Sequence, residues 1–217
     1  MNSLVSYPDR GPWGSSRYRG NCSGHLVRDL LRHYTPRAVA DPAEGSGTTG
    51  DVCRELGIAY HGFDLRTGFN LVRTPLASVV PSPVDFVFFH PPYYRIIRYS
   101  GWVWGTGPHP GDLSHENDWG RYIQALRRMV DNALSALSAN GRLAVLIGDV
   151  RQQGRYYSAQ AYLVMAYGAH VVESVLIKAQ HNVTSDRIEY SDSKLIRIMH
   201  EYVIVLRKPA PEVAGHG

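Results

Sequence analysis

The chain has 217 residues, 44% of them hydrophobic and 19% charged, and a formal net charge of +4. That is the composition of one globular domain large enough for a full core, and its slight basicity favours a polyanionic partner only weakly. Two cysteines, Cys22 and Cys53, are too few for a disulfide framework or a metal knuckle and read as reduced thiols of a cytoplasmic protein. No apolar run approaches the roughly 18 residues of a membrane helix, and the start Met1–Pro8 lacks the basic and apolar regions of a signal peptide.

Residues 1–20 mix Pro8, Gly11, Pro12, Gly14 and Gly20 with Tyr7, Trp13 and Tyr18, which predicts an irregular arm. A helix is expected over 23–33 from the spacing of Leu26, Val27, Leu30 and Leu31, with Ser23 as N-cap and Thr35-Pro36 as the stop. A short strand, 38–40, leads into the turn Asp41-Pro42-Ala43-Glu44-Gly45-Ser46-Gly47-Thr48-Thr49-Gly50, and a helix follows as far as Gly57. Residues 58–63 read as a second strand ending at Asp64, and 76–80 as a short edge strand. Val84–Phe89 is an apolar run fit for a buried parallel strand, and it delivers the turn His90-Pro91-Pro92-Tyr93-Tyr94. A long polar and aromatic loop spans 95–118, of a length that usually serves as a lid or binding loop.

The longest amphipathic stripe runs over 119–137 and closes at Asn140-Gly141. Strands at 143–148, 171–177 and 202–206, a helix over 157–167, a polar segment at 180–200 and a disordered tail at 209–217 complete the pattern. Strands alternating with helices predict an α/β fold: one doubly wound, mostly parallel sheet whose last two strands pair antiparallel. The catalytic unit is expected over 21–208.

Gly45-x-Gly47-x-x-Gly50 after a strand, with Asp64 roughly 20 residues further on, fits the binding of an adenosine-bearing ligand at a helix N-terminus. Asp51 stands where a phosphate loop needs Lys. Asp41, Glu44 and Asp51 would repel a pyrophosphate and attract the ammonium and sulfonium of S-adenosylmethionine. Helix capping by Asp41 or Asp51 is the plainer alternative. At the end of the later strand, the prolines of His90-Pro91-Pro92-Tyr93 fix the backbone, leaving carbonyls to accept from an exocyclic amine and a tyrosine to stack on a flat base.

Together, Asp41-Pro-x-x-Gly-Ser-Gly-Thr-Thr-Gly50 and His90-Pro-Pro-Tyr93 resemble the S-adenosylmethionine-dependent amino-methyltransferases of DNA, which make N6-methyladenine or N4-methylcytosine and often belong to restriction–modification systems. The resemblance extends to 143–157 and 200–208, and it implies a Rossmann-like methyltransferase fold. It also implies that Asp41 through Thr49 line the methionine end of the cofactor, that Asp64 holds the ribose, and that Leu65 lies against the adenine. Asn21-Cys22-Ser23 would close over the methionine carboxylate. Tyr93 would stack on a flipped target base whose amino group donates to the Pro91 carbonyl, and flipping is required because a duplex hides that amine.

This chain departs from that family in two respects. Position 90 is His where Asp, Asn or Ser is usual, so the acceptor depends on the imidazole tautomer, and activity is expected to fall below about pH 6.5. No insertion provides a target-recognition domain. Reading of the nucleic acid falls to the 95–118 loop, the 180–200 segment or a separate specificity partner, with a homodimer also open. Candidate substrate residues are Tyr94, Arg95, Arg98, Arg151 and Asn182, with Tyr99, Trp102, Trp104, His181, Arg187, Lys194 and Arg197 in the same segments.

The Pro-Pro-Tyr turn carries no cysteine nucleophile for 5-methylcytosine chemistry, and no zinc-ligand set is present, so no metal is expected. The alternatives are methylation of RNA or of a protein glutamine, and a nonenzymatic DNA-binding subunit with a vestigial cofactor pocket.

Overall fold

The computed structural model describes residues 1–181 and 194–210. The chain runs β1 (Leu4–Ser6), α1 (Gly24–Tyr34), β2 (Ala38–Asp41), α2 (Thr48–Leu56), β3 (Ala59–Gly62) and β4 (Val84–Phe89). There follow α3 (Trp119–Ser135), β5 (Leu137–Ile147), β6 (Val150–Gln152), β7 (Arg155–Tyr157), α4 (Ala159–Val171), β8 (Val172–Ala179) and β9 (His200–Arg207). Seven strands form one sheet in the order β1-β8-β9-β5-β4-β2-β3, with β6 and β7 a separate hairpin. Every pair in the large sheet is parallel except those of β9, which runs antiparallel to β5 and β8.

Alternation along the strands gives each face of the sheet its own core. Val39, Phe86, Phe88, Ala144, Leu146, Val203 and Val205 pack with Leu26, Leu30 and Val52 of α1 and α2. Ala40, Val87, Phe89, Val145, Ile147 and Ile204 pack with Tyr122, Leu126, Val130 and Leu163 of α3 and α4. The sheet is therefore doubly wound, a Rossmann-like α/β architecture. The chain leaves β2 for β3 on one side and returns to β4 on the other. That reversal opens a crevice at the carboxyl ends of β2 and β4, where such sheets hold ligands.

Helix boundaries follow local chemistry. Gly47 (φ 84°) and Gly57 (φ 69°) bracket α2 in left-handed conformations that suit glycine. The Asp118 carboxylate accepts from the Arg121 amide at 2.8 Å to start α3, and the Ser158 hydroxyl accepts from the Ala161 amide at 3.2 Å to start α4.

Several predicted elements differ. The expected edge strand at 76–80 is a 3-10 turn, Leu76–Ser78. The Asn132 side chain of α3 accepts from the Leu76 amide and donates to the Leu71 and Thr74 carbonyls, each at 2.7 Å, which holds this connection against the helix. Asn140-Gly141 closes no helix. It lies inside β5, where the register moves from Val84 opposite Leu137 to Phe86 opposite Arg142, and Asn140 takes φ 60° in the resulting bulge. The N-terminal arm is not wholly irregular, because Leu4–Ser6 pairs parallel with Ile177–Ala179 at the sheet edge. Tyr157 belongs to the β6–β7 hairpin, and the next helix starts two residues later. Residues 182–193, with Asn182 and Arg187, and most of the predicted tail lie outside the described residues.

Candidate active site

One cavity occupies the crevice. Its lining combines the glycine turn (Asp41, Pro42, Ala43, Glu44, Gly45, Ser46, Thr48, Thr49) with Asn21, Cys22, Asp64 and Leu65, and reaches His90 and Pro92 of the second turn. Most of the residues singled out at the two motifs are thus gathered in one space. Gly47 lies on the outer side of the turn, in a neighbouring open pocket with Arg17 and Arg66. Ser23 is buried with its hydroxyl donating to the Asp9 carbonyl at 3.1 Å, and it does not reach the cavity.

Hydrogen bonds to the acidic residues shape the turn. Asp41, at the tip of β2, accepts from the Ala43 amide at 3.0 Å and from the Thr49 hydroxyl at 2.6 Å. Burial pushes its carboxyl up to about 7; bonds from Thr49 and Ala43 oppose the rise, and the Glu44 and Asp64 carboxylates add to it. Asp64 accepts from the Gly45 amide at 2.9 Å and the Arg66 amide at 2.8 Å, so it clamps the end of β3 to the turn. The Glu44 carboxylate accepts from the Tyr60 hydroxyl at 3.1 Å. Asp51 is engaged structurally, accepting from the Gly14 amide at 2.9 Å and from Arg54 at 2.7 Å. Asn21 accepts from the Thr48 hydroxyl and donates to the Ser15 carbonyl at 3.1 Å, which fastens the N-terminal arm over the turn. Burial, with the Asp41 charge nearby, pushes the Cys22 thiol up to about 12 and keeps it neutral.

The second turn is braced from two sides. The Pro92 carbonyl accepts from the Tyr122 hydroxyl of α3 at 2.9 Å and from the Tyr94 amide at 3.1 Å. No described donor reaches the Pro91 carbonyl. His90 is half-buried, with Nε2 at 2.9 Å from the Tyr93 hydroxyl, which in turn donates to Glu201 Oε1 at 3.0 Å. Burial lowers the His90 imidazole to about 4, the Glu201 charge opposing and the Lys178 and Arg10 charges assisting. The expected activity loss below about pH 6.5 is corrected by that burial: the ring stays neutral well below its ordinary range.

Of the predicted substrate residues, Tyr94 is placed elsewhere. It is buried at φ 48°, donates to the Asn117 carbonyl at 2.6 Å, and packs among Trp119, Tyr122 and Tyr157. It supports the turn from the core side. Arg95 and Arg98 are half-buried in the following loop. Arg151, on β6, donates to the Ile196 carbonyl at 2.7 Å and lies over the Tyr156 ring. Beside it Asp149, at the β5 end, accepts from the Tyr156 hydroxyl at 2.5 Å. The 95–118 loop is ordered around Asp112, which accepts from the Ser100 amide and hydroxyl at 2.7 Å each and from the Ser114 amide at 2.9 Å.

Sequence reasoning missed Tyr18, Phe69, Asn70, Asp112 and Leu113 in the lining, although Tyr99 and Trp104, which do line it, came from the loop. It also missed Lys178 and Glu201. The one available signal for Glu201 was an acid at the head of an otherwise apolar strand. Among the described residues no cluster of His, Cys, Asp and Glu could hold a metal ion, and no helix is long and apolar enough to cross a membrane.

No known sequence family and no curated protein matches the chain. Solved structures do. A proposed hemolysin from Lactococcus lactis superposes with a TM-score of 0.51 at 11% identity, over 89% of this chain and 90% of that one. An rRNA methylase from Streptococcus thermophilus gives 0.44 at 16% identity, over 85% and 96%. A proposed DNA modification methylase from Thermus thermophilus, solved with S-adenosyl-L-methionine, gives 0.41 at 21% identity, over 65% and 54%, so this chain spans about half its length. The last two scores are too low to bear on function. What the comparisons establish is the doubly wound α/β fold.

Proposed function

We propose that the chain is an S-adenosylmethionine-dependent methyltransferase acting on the exocyclic amino group of a flipped adenine (N6) or cytosine (N4) in DNA. The observation that carries this reading is a cavity lined by most of the Asp41–Thr49 turn together with His90 and Pro92 of the second turn. The residues fit the cofactor. Three carboxylates, Asp41, Glu44 and Asp64, line a space beside a helix start, a setting that favours a cationic ligand over a pyrophosphate. Bound there, S-adenosylmethionine would supply an electrophilic methyl group, with the carbon–sulfur electron pair leaving on sulfur as the amine nitrogen takes the carbon and the amine's surplus proton passing to solvent water.

The chain's part is to orient that amine. Neutral His90 and the Pro91 carbonyl are acceptors on a backbone that two prolines and the Tyr122–Pro92 bond hold rigid. Accepting both amino hydrogens turns the nitrogen lone pair out of conjugation and toward the methyl group. The exposed Trp102 and half-buried Arg95 and Arg98, in the loop after the turn, suit phosphate and base contacts.

The test is to incubate the protein with methyl-labelled S-adenosylmethionine and separate pools of duplex DNA, single-stranded DNA and RNA. Label in DNA is the expected result. Label confined to RNA contradicts the substrate assignment, and cofactor binding without transfer to any pool contradicts the enzymatic reading.

A further inference from the structure

The second turn is joined to the far strands by a line of hydrogen bonds that neither motif contains. Lys178 on β8 and Glu201 on β9 stand opposite each other in the antiparallel ladder. Lys178 Nζ donates to Glu201 Oε2 at 2.8 Å, and both residues are buried. Glu201 Oε1 accepts from the Tyr93 hydroxyl at 3.0 Å, and that oxygen lies 2.9 Å from His90 Nε2.

These contacts determine where the protons sit. Burial alone would raise the Glu201 carboxyl, but the Lys178 ammonium and the Tyr93 bond hold it below its ordinary value, so it is ionised. An ionised carboxylate only accepts. Burial and then the Glu201 charge push the Tyr93 phenol far above its ordinary value, so it keeps its proton. That proton is committed to Glu201. The phenol oxygen has only a lone pair left for His90, and Nε2 must therefore carry the ring hydrogen. A neutral imidazole has one N–H, which makes Nδ1 its acceptor.

We propose that Lys178, Glu201 and the Tyr93 hydroxyl act as positioning groups that fix the His90 tautomer, so that Nδ1 offers a lone pair to the amino group of the substrate. This rests on His90 being the amine acceptor of the proposed reaction. The opposite tautomer would point N–H at N–H and repel the substrate. A carboxylate or amide at position 90 would need no such support. The histidine does, because either nitrogen of an isolated ring can hold the proton. The charged groups bearing on the ring are Glu201, Lys178 and Arg10.

The tautomer is read by nitrogen-15 NMR on histidine-labelled protein without substrate, with the His90 signals identified by their loss in His90→Gln. The wild type is expected to show a protonated Nε2 and a bare Nδ1. In Glu201→Gln the amide oxygen turns to the Lys178 ammonium and the amide N–H2 faces the phenol oxygen. The phenol hydrogen then swings to Nε2, and the ring hydrogen moves to Nδ1. Methyl transfer by this variant should fall on the order of 100-fold or more in kcat, with little change in cofactor binding. Tyr93→Phe removes the oxygen, leaving mixed tautomers and an intermediate kcat.

A protonated Nδ1 in the wild type overturns the proposal, and so does an unchanged tautomer in Glu201→Gln. The wild-type reading depends on neither the Glu201 nor the Tyr93 variant folding, since only His90→Gln is needed to assign the signals. A wild type with the expected tautomer that methylates no amine refutes the functional reading while sparing the proton assignment, so the two failures are distinguishable.

Discussion

Gly148 and the Tyr93 ring are in close contact: a Cβ on Gly148 would lie 2.8 Å from two ring carbons of Tyr93. Gly148 follows the last residue of β5 and has no left-handed φ, so what requires glycine there is the ring and not the backbone. Gly148→Ala should push the ring away from His90 and Glu201. A displacement near one ångström costs on the order of 100-fold in transfer rate, against about 1–3 kcal/mol of stability. Steady-state kinetics and thermal melting on the same preparation check this, and full activity in the variant would contradict the role given to the ring.

Asp41 makes cofactor binding depend on pH. Its folded carboxyl lies at about 7 against an ordinary 3.8, so folding disfavours the charged form. The unfolded chain releases that proton first, and the free protein loses stability as pH rises from about 4 to about 7, then holds steady. A cationic cofactor favours the ionised form, so its affinity should rise over the upper part of that window. Asp41→Asn should raise the melting temperature at pH 8 by a few degrees, with no gain at pH 4. It should also weaken cofactor binding about tenfold or more at pH 8. Calorimetry at the two pH values reads both effects.

His90 gives the opposite signature. Burial lowers its imidazole from 6.5 to about 4, so the ring remains neutral across the ordinary range. With cofactor saturating, kcat should be flat with respect to this group from pH 8 down to about 5.5. The stability contribution runs the same way: present above pH 6.5, and lost as pH falls toward 4 because the unfolded ring takes its proton first. A drop in saturated kcat centred near pH 6.5 would show that the ring titrates freely.

Asn132 holds three backbone groups of the 71–76 connection. Asn132→Ala leaves those groups without their partner and should cost about 2–3 kcal/mol. Chemical denaturation measures it, and a cost under about 0.5 kcal/mol would mean that water replaces the side chain.

Much of this was legible in the sequence because it is local. β4 was bounded to the residue, since six largely apolar positions between prolines admit little else. The glycine turn announced its helix through Gly47 and Gly57, and the lining of the cavity follows from those two turns meeting across the switch point. What was missed depends on register. Glu201 lies 108 positions from Tyr93, and only the pairing of β8 with β9 puts Lys178 beside it. Tyr94, expected among the substrate residues, sits apart from them because its positive φ turns the ring into the aromatic core. The 76–80 segment carries strand-like residues, but Asn132 captures its first amide.

The central claim is that one cavity brings a methyl donor to an exocyclic amine. The measurement that tests it most directly is mass spectrometry of nucleosides from DNA treated with the protein and deuteriomethyl-labelled S-adenosylmethionine, beside the same digest from His90→Ala. The account predicts label as N6-methyladenine or N4-methylcytosine with the wild type, reduced about 100-fold or more with His90→Ala. Label on a ring carbon, or equal label with both proteins, would contradict it.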